Sequence, residues 1–185
     1  MDYHAFYAEL FGPVEELVGP IDPMTIVALI GFDAGGPLNL CTVGRDARTP
    51  FVTYVTCELA VRDDQATGYM GPYELMMTCD DEDWCRPLLS DIGRMTLEDV
   101  FEHGHTLDVG AWVGESSPIQ GVVFEEFARL VIEGRPFGIL RVTGVTRDEL
   151  DFATEHSVDK LVQRLKAAGV CPQTSLARPS ALTRR

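Results

Sequence analysis

Two histidines, His103 and His105, come nearest in type and spacing to a metal-binding pair. Zinc sites usually show a more specific pattern, such as Cys-x-x-Cys or His-Glu-x-x-His, and neither pattern occurs in this sequence. The other two histidines, His4 and His156, lie far away along the chain. We therefore predict that the pair lies on a surface turn and binds no metal. The alternative is a metal-dependent hydrolase that uses His103, His105 and nearby carboxylates.

Four consecutive acidic residues at positions 80–83 form the densest group of carboxylates, and carboxylates can bind a hard cation. The segment lacks the glycine and the final glutamate that an EF-hand loop requires. Cys85 lies near a predicted helix N-terminus, where a thiol can become a nucleophile. The neighbouring acids raise a thiol pKa, however, and no histidine is close in sequence. We therefore predict a protein that is not an enzyme and has no cofactor.

The acidic group stands between a predicted strand and a predicted helix. Tyr73–Cys79 is a short, mostly apolar run after a Gly-Pro pair, which favours a buried strand. The residues after the acids are apolar at helical spacing, and negative charge suits a helix N-terminus. Pro87 is expected in the first turn, where its missing N–H costs little. Trp84, at the joint, is interpreted as a structural anchor of the core.

Glu74 is the charged residue inside this predicted strand. A buried carboxylate needs a hydrogen-bonded or charged partner, and we expect an arginine beside it. Because burying a charge is costly, Glu74 is interpreted as structural rather than as a partner-binding residue.

The remaining pattern predicts an α+β fold with a mixed, largely antiparallel sheet packed with helices. Residues 2–10 indicate an amphipathic helix that Gly12-Pro13 interrupts. Met24–Phe32 is expected to be a central strand, and Phe51–Val61 alternates like a strand that a hairpin connects to Tyr73. The other expected elements are strands at Leu38–Val43, Thr106–Val113, Gly121–Phe124, Phe127–Ile132 and Phe137–Val145, and helices at Thr96–His103, Thr146–His156 and after Ser157; Phe124–Ile132 is also compatible with a helix.

Charge is unevenly distributed along the chain. Fifteen basic and 29 acidic residues give a net charge of −14. Between residues 58 and 102 there are 12 acids and three arginines, whereas residues 160–185 contain six basic residues and no acid. An acidic surface of this kind repels nucleic acid and favours a cationic partner or solubility alone. We therefore predict a basic protein or peptide partner, with no nucleic acid and no membrane.

Length and composition predict one folded domain. The chain has 185 residues, of which 45% are hydrophobic, and no apolar run is long enough to span a membrane. No secretory signal is visible, and five scattered cysteines suggest reduced thiols in a cytoplasmic protein. We predict one α+β domain at residues 1–170 and an extended basic tail at 171–185. This tail either folds back on the acidic body or stays solvated.

Three motifs together resemble the suppressor of fused family. They are the Tyr73-Glu74-Leu75 strand with Trp84 and the following helix, the segment Phe101–His105, and the run Phe137–Leu150, which reads as a strand followed by a helix. The resemblance covers roughly residues 50–178. It implies the family's fold and structural roles for Gly104 and Glu149.

The same resemblance implies a binding function. Animal members bind and restrain transcription factors, partly by clamping a peptide strand between two lobes, and bacterial members are often presumed immunity proteins in toxin systems. This chain matches only the first lobe. An acidic immunity protein would associate quickly with a basic toxin. We predict that the partner adds a strand to a sheet edge or docks on an acidic face. The predicted binding residues are Asp63, Asp64, Tyr69, Asp80, Asp81 and Asp83.

Overall fold

The computed structural model describes residues 3–43, 50–114, 117–132 and 134–182. Its helices are α1 (Tyr3–Val18), α2 (Glu82–Met95), α3 (Gly110–Val113), α4 (Arg147–Glu155) and α5 (Val158–Ala167), and a 3₁₀ turn spans Phe32–Ala34. Its strands are β1 (Ile21–Ile26), β2 (Leu40–Val43), β3 (Val52–Thr56), β4 (Tyr73–Cys79), β5 (Thr106–Asp108), β6 (Ile119–Ile132), β7 (Arg135–Thr146) and β8 (Gln173–Thr174). The sequence of Gly44–Pro50 predicts a loop, and this segment lies outside the described residues except for Pro50.

The strands form one mixed sheet in the order β1-β2-β3-β4-β7-β6-β5. Neighbours along this order are antiparallel except β4 and β7, which are parallel and place Met76 opposite Arg141. β8 also pairs parallel with β4, at Thr78 and Cys79, beyond the end of the β4–β7 ladder. The predicted α+β fold with a mixed, largely antiparallel sheet is confirmed.

Helices cover both faces of this sheet. On one face, α2 packs against Leu75 of β4 and Leu140 of β7. On the other face, α1 packs against Met76 and Ile139, while α4 and α5 pack against Val145 of β7. Side chains alternate between faces along a strand, so Ile139 and Val145 lie on the same face. The protein therefore has three layers. The sheet lies in the middle, α2 forms one outer layer, and α1 and the α4–α5 pair lie side by side in the other.

The N-terminal helix is longer than the sequence predicts. α1 continues through Gly12 and Pro13 to Val18. Tyr7, Leu10 and Val14 form a buried stripe on this helix. A proline inside a helix costs about 3 kcal/mol, but burying each large apolar side chain contributes roughly 1.5–3 kcal/mol. Burial on both sides of Pro13 therefore offsets the lost hydrogen bond.

The prediction of a central strand at Met24–Phe32 is wrong. β1 ends at Ile26 and is the first strand of the sheet order, paired only with β2 among the described strands. Val27 and Leu29, just after it, are exposed. Pro23 has no N–H to donate and therefore suits an edge strand. An apolar run alone does not distinguish a buried strand from an exposed segment.

The limits of α2 also differ from expectation. The helix begins at Glu82, because Asp81 caps it by accepting a hydrogen bond from Trp84 N at 3.0 Å. Pro87 consequently lies in the second turn, not the first. Thr96 does not start a helix but ends α2, and its hydroxyl donates to Gly93 O at 2.7 Å. A hydroxyl can satisfy backbone groups at either end of a helix, so its sequence position alone was ambiguous.

The second half of the chain follows the prediction more closely. β6 is one continuous strand and forms an antiparallel hairpin with β7, which excludes the helical alternative for Phe124–Ile132. The stretch predicted as extended at Thr106–Val113 divides into β5 and α3. α4 and α5 are present, and Ser157 caps α5 by accepting from Lys160 N at 3.2 Å.

The C-terminal segment packs against the body as far as residue 182. Besides β8, the guanidinium of Arg178 is buried against Glu149 at the start of α4. Of the two alternatives left open by the sequence, the described part of the tail therefore folds back. The predicted limits 1–170 and 171–185 stay a prediction.

Candidate partner-binding surface

The predicted acidic binding residues lie at opposite ends of β4. The Gln65 side chain bonds the backbone of Tyr73 at 2.9 and 3.1 Å, which holds the adjacent Asp63 and Asp64 near the start of the strand. The residues at 80–83 follow its end. Seven residues of strand span roughly 20 Å. The structure therefore separates the predicted acids into two groups and does not form one continuous cluster of them.

Asp64 is already paired within the protein. Arg62 contacts Asp64 at 2.9 Å and Asp33 at 2.6 Å. The hydrogen bonds from Arg62 hold the pKa of the Asp64 carboxyl below its usual value. The Arg62 guanidinium also lies over the ring of Phe32, 5.4 Å from its centroid. Asp63 is exposed beside this group, on the rim of a shallow pocket with Pro72.

At the other end of β4, three predicted acids have three different surroundings. Asp81 is the N-cap of α2. Asp80 accepts a hydrogen bond from Leu176 N at 3.3 Å and so contacts the C-terminal segment. Asp83 is exposed and makes no hydrogen bond or ion pair with a described residue. Asp83 is therefore the carboxylate of this group with most freedom to meet a partner.

A groove runs along the outer side of α2. Its volume is about 340 Å³, and it is lined by Pro37, Glu82, Asp83, Arg86, Pro87, Ser90, Asp91 and Arg94. Arg86 pairs with Glu82 at 2.9 Å, and Arg94 donates to three backbone carbonyls. Both cations are therefore used inside the protein, which leaves Asp83 and Asp91 to set the sign of the groove. Asp91 was not among the binding residues predicted from the sequence. It follows Asp83 by eight residues, a spacing that places both side chains on the same side of a helix.

Tyr69 lies apart from these acids. Its ring is 50% exposed, its hydroxyl donates to Glu126 Oε2 at 3.0 Å, and Arg129 lies over the ring at 4.9 Å. Burial and the Glu126 carboxylate raise the pKa of Tyr69. Tyr69 therefore belongs to a polar cluster on β6, and the structure does not bring it together with Asp63 or Asp83.

The two histidines do not converge on one point. His103 contacts Asp159 through Nε2 at 3.0 Å, and its Nδ1 accepts from the Glu126 backbone N–H at 3.3 Å. His105 Nδ1 accepts from the Glu102 backbone N–H at 3.3 Å. Among the described residues, no three histidine, cysteine, aspartate or glutamate side chains form a group suited to a metal ion. Both nitrogens of His103 hold neighbouring segments together.

Glu74 is fully buried, but the prediction of an arginine beside it is wrong. The carboxylate accepts from Tyr7 Oη at 2.6 Å, from the Thr56 hydroxyl, and from the backbone N–H groups of Leu59 and Ala60. Burial raises the pKa of Glu74, and these donors act against that rise. Four neutral donors thus take the place of a cation and join α1, β3 and β4.

Glu149 has the arginine partner that Glu74 lacks. Arg178 donates to both carboxylate oxygens, at 2.6 and 2.8 Å, and the backbone N–H groups of Thr146 and Ala181 donate as well. Burial raises the pKa of Glu149, but the bonds from Arg178 and the two N–H groups outweigh this and leave it below its usual value. Glu149 therefore fixes the C-terminal segment to the start of α4.

Trp84 and Gly104 also have surroundings that suit the expected structural roles. Trp84 is half-buried against the main core, and its buried indole N–H has no hydrogen-bond partner among the described residues. Gly104 has φ of +91°, in the region that favours glycine. Its N–H donates to Phe124 O at 2.9 Å, which links this turn to β6.

A family model for suppressor of fused protein (SUFU) matches residues 35–179. The chain belongs to the suppressor of fused family. A search of the curated proteins gives no match to this sequence. The matched range contains β2 to β8 and leaves out α1 and β1. The family match therefore includes both groups of predicted binding acids, the one at the start of β4 and the one at its end.

Solved structures share the fold at low sequence identity. A structure of the Sufu–Fu complex matches with a TM-score of 0.70 and 15% identity, covering 94% of this chain and 90% of that one. Suppressor of Fused from Drosophila matches with a TM-score of 0.68 and 16% identity, covering 94% of this chain and 50% of that one. A SUFU homolog from Neisseria gonorrhoeae FA 1090 matches with a TM-score of 0.61 and 16% identity, over 95% and 96% of the two chains. The chain thus spans about half the length of the Drosophila protein.

None of the described helices combines the length and the apolar composition that a membrane crossing requires.

Proposed function

We propose that this chain is a non-enzymatic protein-binding domain of the suppressor of fused type. Membership of the family carries the proposal, since a structural relative of this fold has been solved as the Sufu–Fu complex. The site chemistry agrees with it. Of the two histidines that could support hydrolysis, His103 contacts Asp159 and His105 accepts from a backbone N–H within its own turn, and the cysteine near α2, Cys85, is fully buried. Burial raises the pKa of Cys85, which disfavours a nucleophilic thiolate.

The partner is proposed to be basic and to dock on the α2 groove. The protein carries a net charge of −14, and Asp83 and Asp91 line a groove whose arginines already have partners. Opposite charge speeds diffusional encounter and makes the association rate sensitive to salt. Strand addition is the less favoured mode, because β5 has three residues and β1 contains Pro23.

A cytoplasmic immunity protein that neutralises a basic toxin is the biological role proposed for this surface. An inhibitor of this kind must reach its target before damage is done. Electrostatic steering raises association rates to about 10⁸ M⁻¹s⁻¹ or more at low salt, against about 10⁵–10⁶ M⁻¹s⁻¹ without it. The acidic composition of the chain supports such a role.

The groove is tested by replacing Asp83 and Asp91 together with lysine. Both side chains are exposed, so the variant should stay folded. With a partner isolated on the wild-type protein, we expect the association rate constant at low salt to fall by about tenfold or more, with a smaller change in dissociation. Stopped-flow or surface-based kinetics at several salt concentrations measure both.

Asp63→Lys is compared with the single change Asp83→Lys, because each reverses one exposed charge, at opposite ends of β4. An equal loss of association rate in these two single variants would show that net charge matters and the groove does not. An unchanged rate in the groove variant would reject this surface. Partner binding with no salt dependence in the wild-type protein would contradict the basic character of the partner.

A further inference from the structure

An apolar segment at residues 27–30 is exposed to solvent. The exposed fractions of Val27, Leu29 and Ile30 are 69%, 105% and 59%. Single exposed apolar residues are common on protein surfaces, whereas several together usually mark a contact with a partner. The family model begins at residue 35, so the segment lies outside the matched range. It is therefore a feature of this chain that needs its own explanation.

Hydrogen bonds hold the backbone on both sides of the apolar segment. On one side, Ala28 N donates to Asn39 Oδ1 at 3.0 Å, and Glu58 accepts from the backbone and side-chain amides of Asn39 at 2.9 Å. On the other side, Gly36 N donates to Gly31 O at 3.0 Å and closes the chain just after the segment. The segment is therefore fixed at its base while its three large side chains are exposed. A surface that is already ordered loses little conformational entropy on binding.

The apolar segment borders the α2 groove. Gly36 packs so closely on Ile30 that a Cβ at position 36 would overlap the Ile30 carbonyl oxygen. Pro37, the next residue, lines the groove. Arg94 lines it too, and its guanidinium donates to Gly35 O at 3.0 Å. The acidic groove and the apolar segment are therefore neighbours on one surface.

The apolar segment alone is too small for a stable interface. A specific interface buries about 800 Å² on each partner, and three aliphatic side chains supply only a part of that area. Interfaces usually combine a small apolar centre with a polar rim. The segment and the groove with Asp83 and Asp91 provide these two parts side by side.

Charge disfavours a second copy of this chain as the molecule that covers the segment. Each copy carries a net charge of −14. Because the segment borders the groove with Asp83 and Asp91, contact between two copies would bring like charges together. A basic partner meets no such repulsion.

We propose that Val27, Leu29 and Ile30 form an apolar anchor for the partner that docks on the α2 groove. The proposal rests on the proposed function and adds to it the chemistry of the partner, which presents an apolar patch next to its basic residues. The groove supplies charge attraction and speeds encounter, whereas the anchor supplies a contact that salt does not screen. Affinity therefore depends on both parts of the surface.

Two synthetic peptides separate the anchor from the groove. Both are short, capped and rich in lysine on one helical face, and the opposite face carries leucine in one peptide and glutamine in the other. Leucine and glutamine have similar helix propensities, so the two peptides differ mainly in apolar surface. We expect the leucine peptide to bind the wild-type protein about tenfold or more tightly than the glutamine peptide at physiological salt. Fluorescence anisotropy measures both affinities.

Val27→Ser and Val131→Ser form a matched pair of variants. Each replaces one exposed valine, and the exposed fractions are 69% and 72%. Val131 lies on β6 and does not line the groove. We expect Val27→Ser to reduce the preference for the leucine peptide by about threefold or more, and Val131→Ser to leave it unchanged. Both side chains are exposed, so the variants should stay folded, which circular dichroism checks.

The groove variant, with Asp83→Lys and Asp91→Lys, should weaken the binding of both peptides and keep the preference for leucine. Equal affinity of the wild-type protein for the two peptides would overturn the anchor and leave the groove proposal standing. Equal effects of Val27→Ser and Val131→Ser would overturn it as well, because the apolar contact would then have no defined place. Unchanged binding of both peptides to the groove variant would count against the groove, and with it against a shared interface.

Light scattering after gel filtration tests the second copy as the occupant. We expect the wild-type protein and Leu29→Ser to be monomers. A wild-type dimer that Leu29→Ser converts to a monomer would show that a second copy covers the segment, and would contradict the proposal.

Discussion

Two buried glutamates show how the same charge is accommodated in different ways. Glu74 is surrounded by hydroxyl and N–H donors, and Glu149 is bonded to Arg178. The two pKa values consequently shift in opposite directions, upward for Glu74 and downward for Glu149. The sequence indicated that Glu74 needed a partner, but not that the partners come from α1 and from the segment after β3. Those donors are distant along the chain.

Tyr7→Phe tests the hydrogen bond that joins α1 to Glu74. The variant removes one donor from a buried carboxylate, so we expect the free energy of unfolding to fall by about 1–3 kcal/mol. Tyr69→Phe is the control, because its hydroxyl bonds the partly exposed carboxylate of Glu126, and it should change stability by less than about 0.5 kcal/mol. Urea unfolding measures both. Equal effects of the two variants would contradict a special role for the Tyr7 hydroxyl.

Glu149→Gln tests the buried ion pair by its pH dependence. Because the folded pKa of Glu149 lies below its ordinary value of 4.5, its contribution to stability is present above that pH. This contribution is lost as the pH falls through the folded pKa. We expect the variant to be less stable by about 3–5 kcal/mol at neutral pH, since Arg178 is left buried without its charge partner. The difference from the wild-type protein should shrink below pH 4.5.

Denaturant unfolding between pH 3 and pH 7, at roughly one-unit steps, measures that difference. The double variant Glu149→Leu with Arg178→Met should be more stable than the sum of the single changes predicts, because neither charge is then left unpaired. A difference that does not change with pH would show that packing rather than ionisation explains the loss.

At the scale of elements, local signals gave good predictions where neighbouring residues decide the structure. β4, the β6–β7 hairpin, α4 and the Ser157 cap of α5 were predicted because apolar periodicity and capping residues lie within a few positions. The Met24–Phe32 strand and the Thr96 helix were wrong. An apolar run does not show whether tertiary packing covers it, and a threonine can cap either helix end.

The candidate site was predictable only in its charge. The density of acids between residues 58 and 102 indicated an acidic surface. The residues next to Asp80 in sequence do not indicate that it contacts the C-terminal segment. Likewise, the sequence around Asp64 does not indicate that Arg62 pairs with both Asp64 and Asp33. Those contacts arise from the fold, so the sequence could not distinguish acids used for structure from acids left for a partner.

Asp81→Ala tests the helix start separately from binding. Removing the N-cap leaves Trp84 N–H without its acceptor, and we expect a loss of stability of about 0.5–2 kcal/mol. Asp83→Ala removes an exposed first-turn acid and should cost only about 0.3–1 kcal/mol. Thermal unfolding compares the two. If Asp83→Ala destabilised the protein more than Asp81→Ala, the assignment of the cap would be wrong.

At the scale of the whole molecule, the C-terminal segment completes the sheet. β7 pairs with β4 only as far as Met76, and β8 takes the same side of β4 at Thr78 and Cys79. The Thr174 hydroxyl accepts from Gly144 N at 2.9 Å, so the segment also bonds β7 where the two strands have separated. We therefore expect the fold to depend on residues after position 170, which the sequence prediction assigned to a tail.

A chain ending at residue 170 tests this dependence and the predicted domain limits together. Truncation removes β8 and Arg178, which leaves Glu149 buried without its cation, and breaking a buried pair in this way costs about 3–5 kcal/mol. Because small domains are stable by only about 5–15 kcal/mol, we expect the truncated chain to be largely unfolded or to melt well below the full chain. Circular dichroism and calorimetry distinguish these outcomes. A chain ending at residue 182 keeps every C-terminal residue that the structure describes and is the control, which should be more stable than the 1–170 chain. Equal stability of the two chains would support the predicted boundary and show that the tail contacts are incidental.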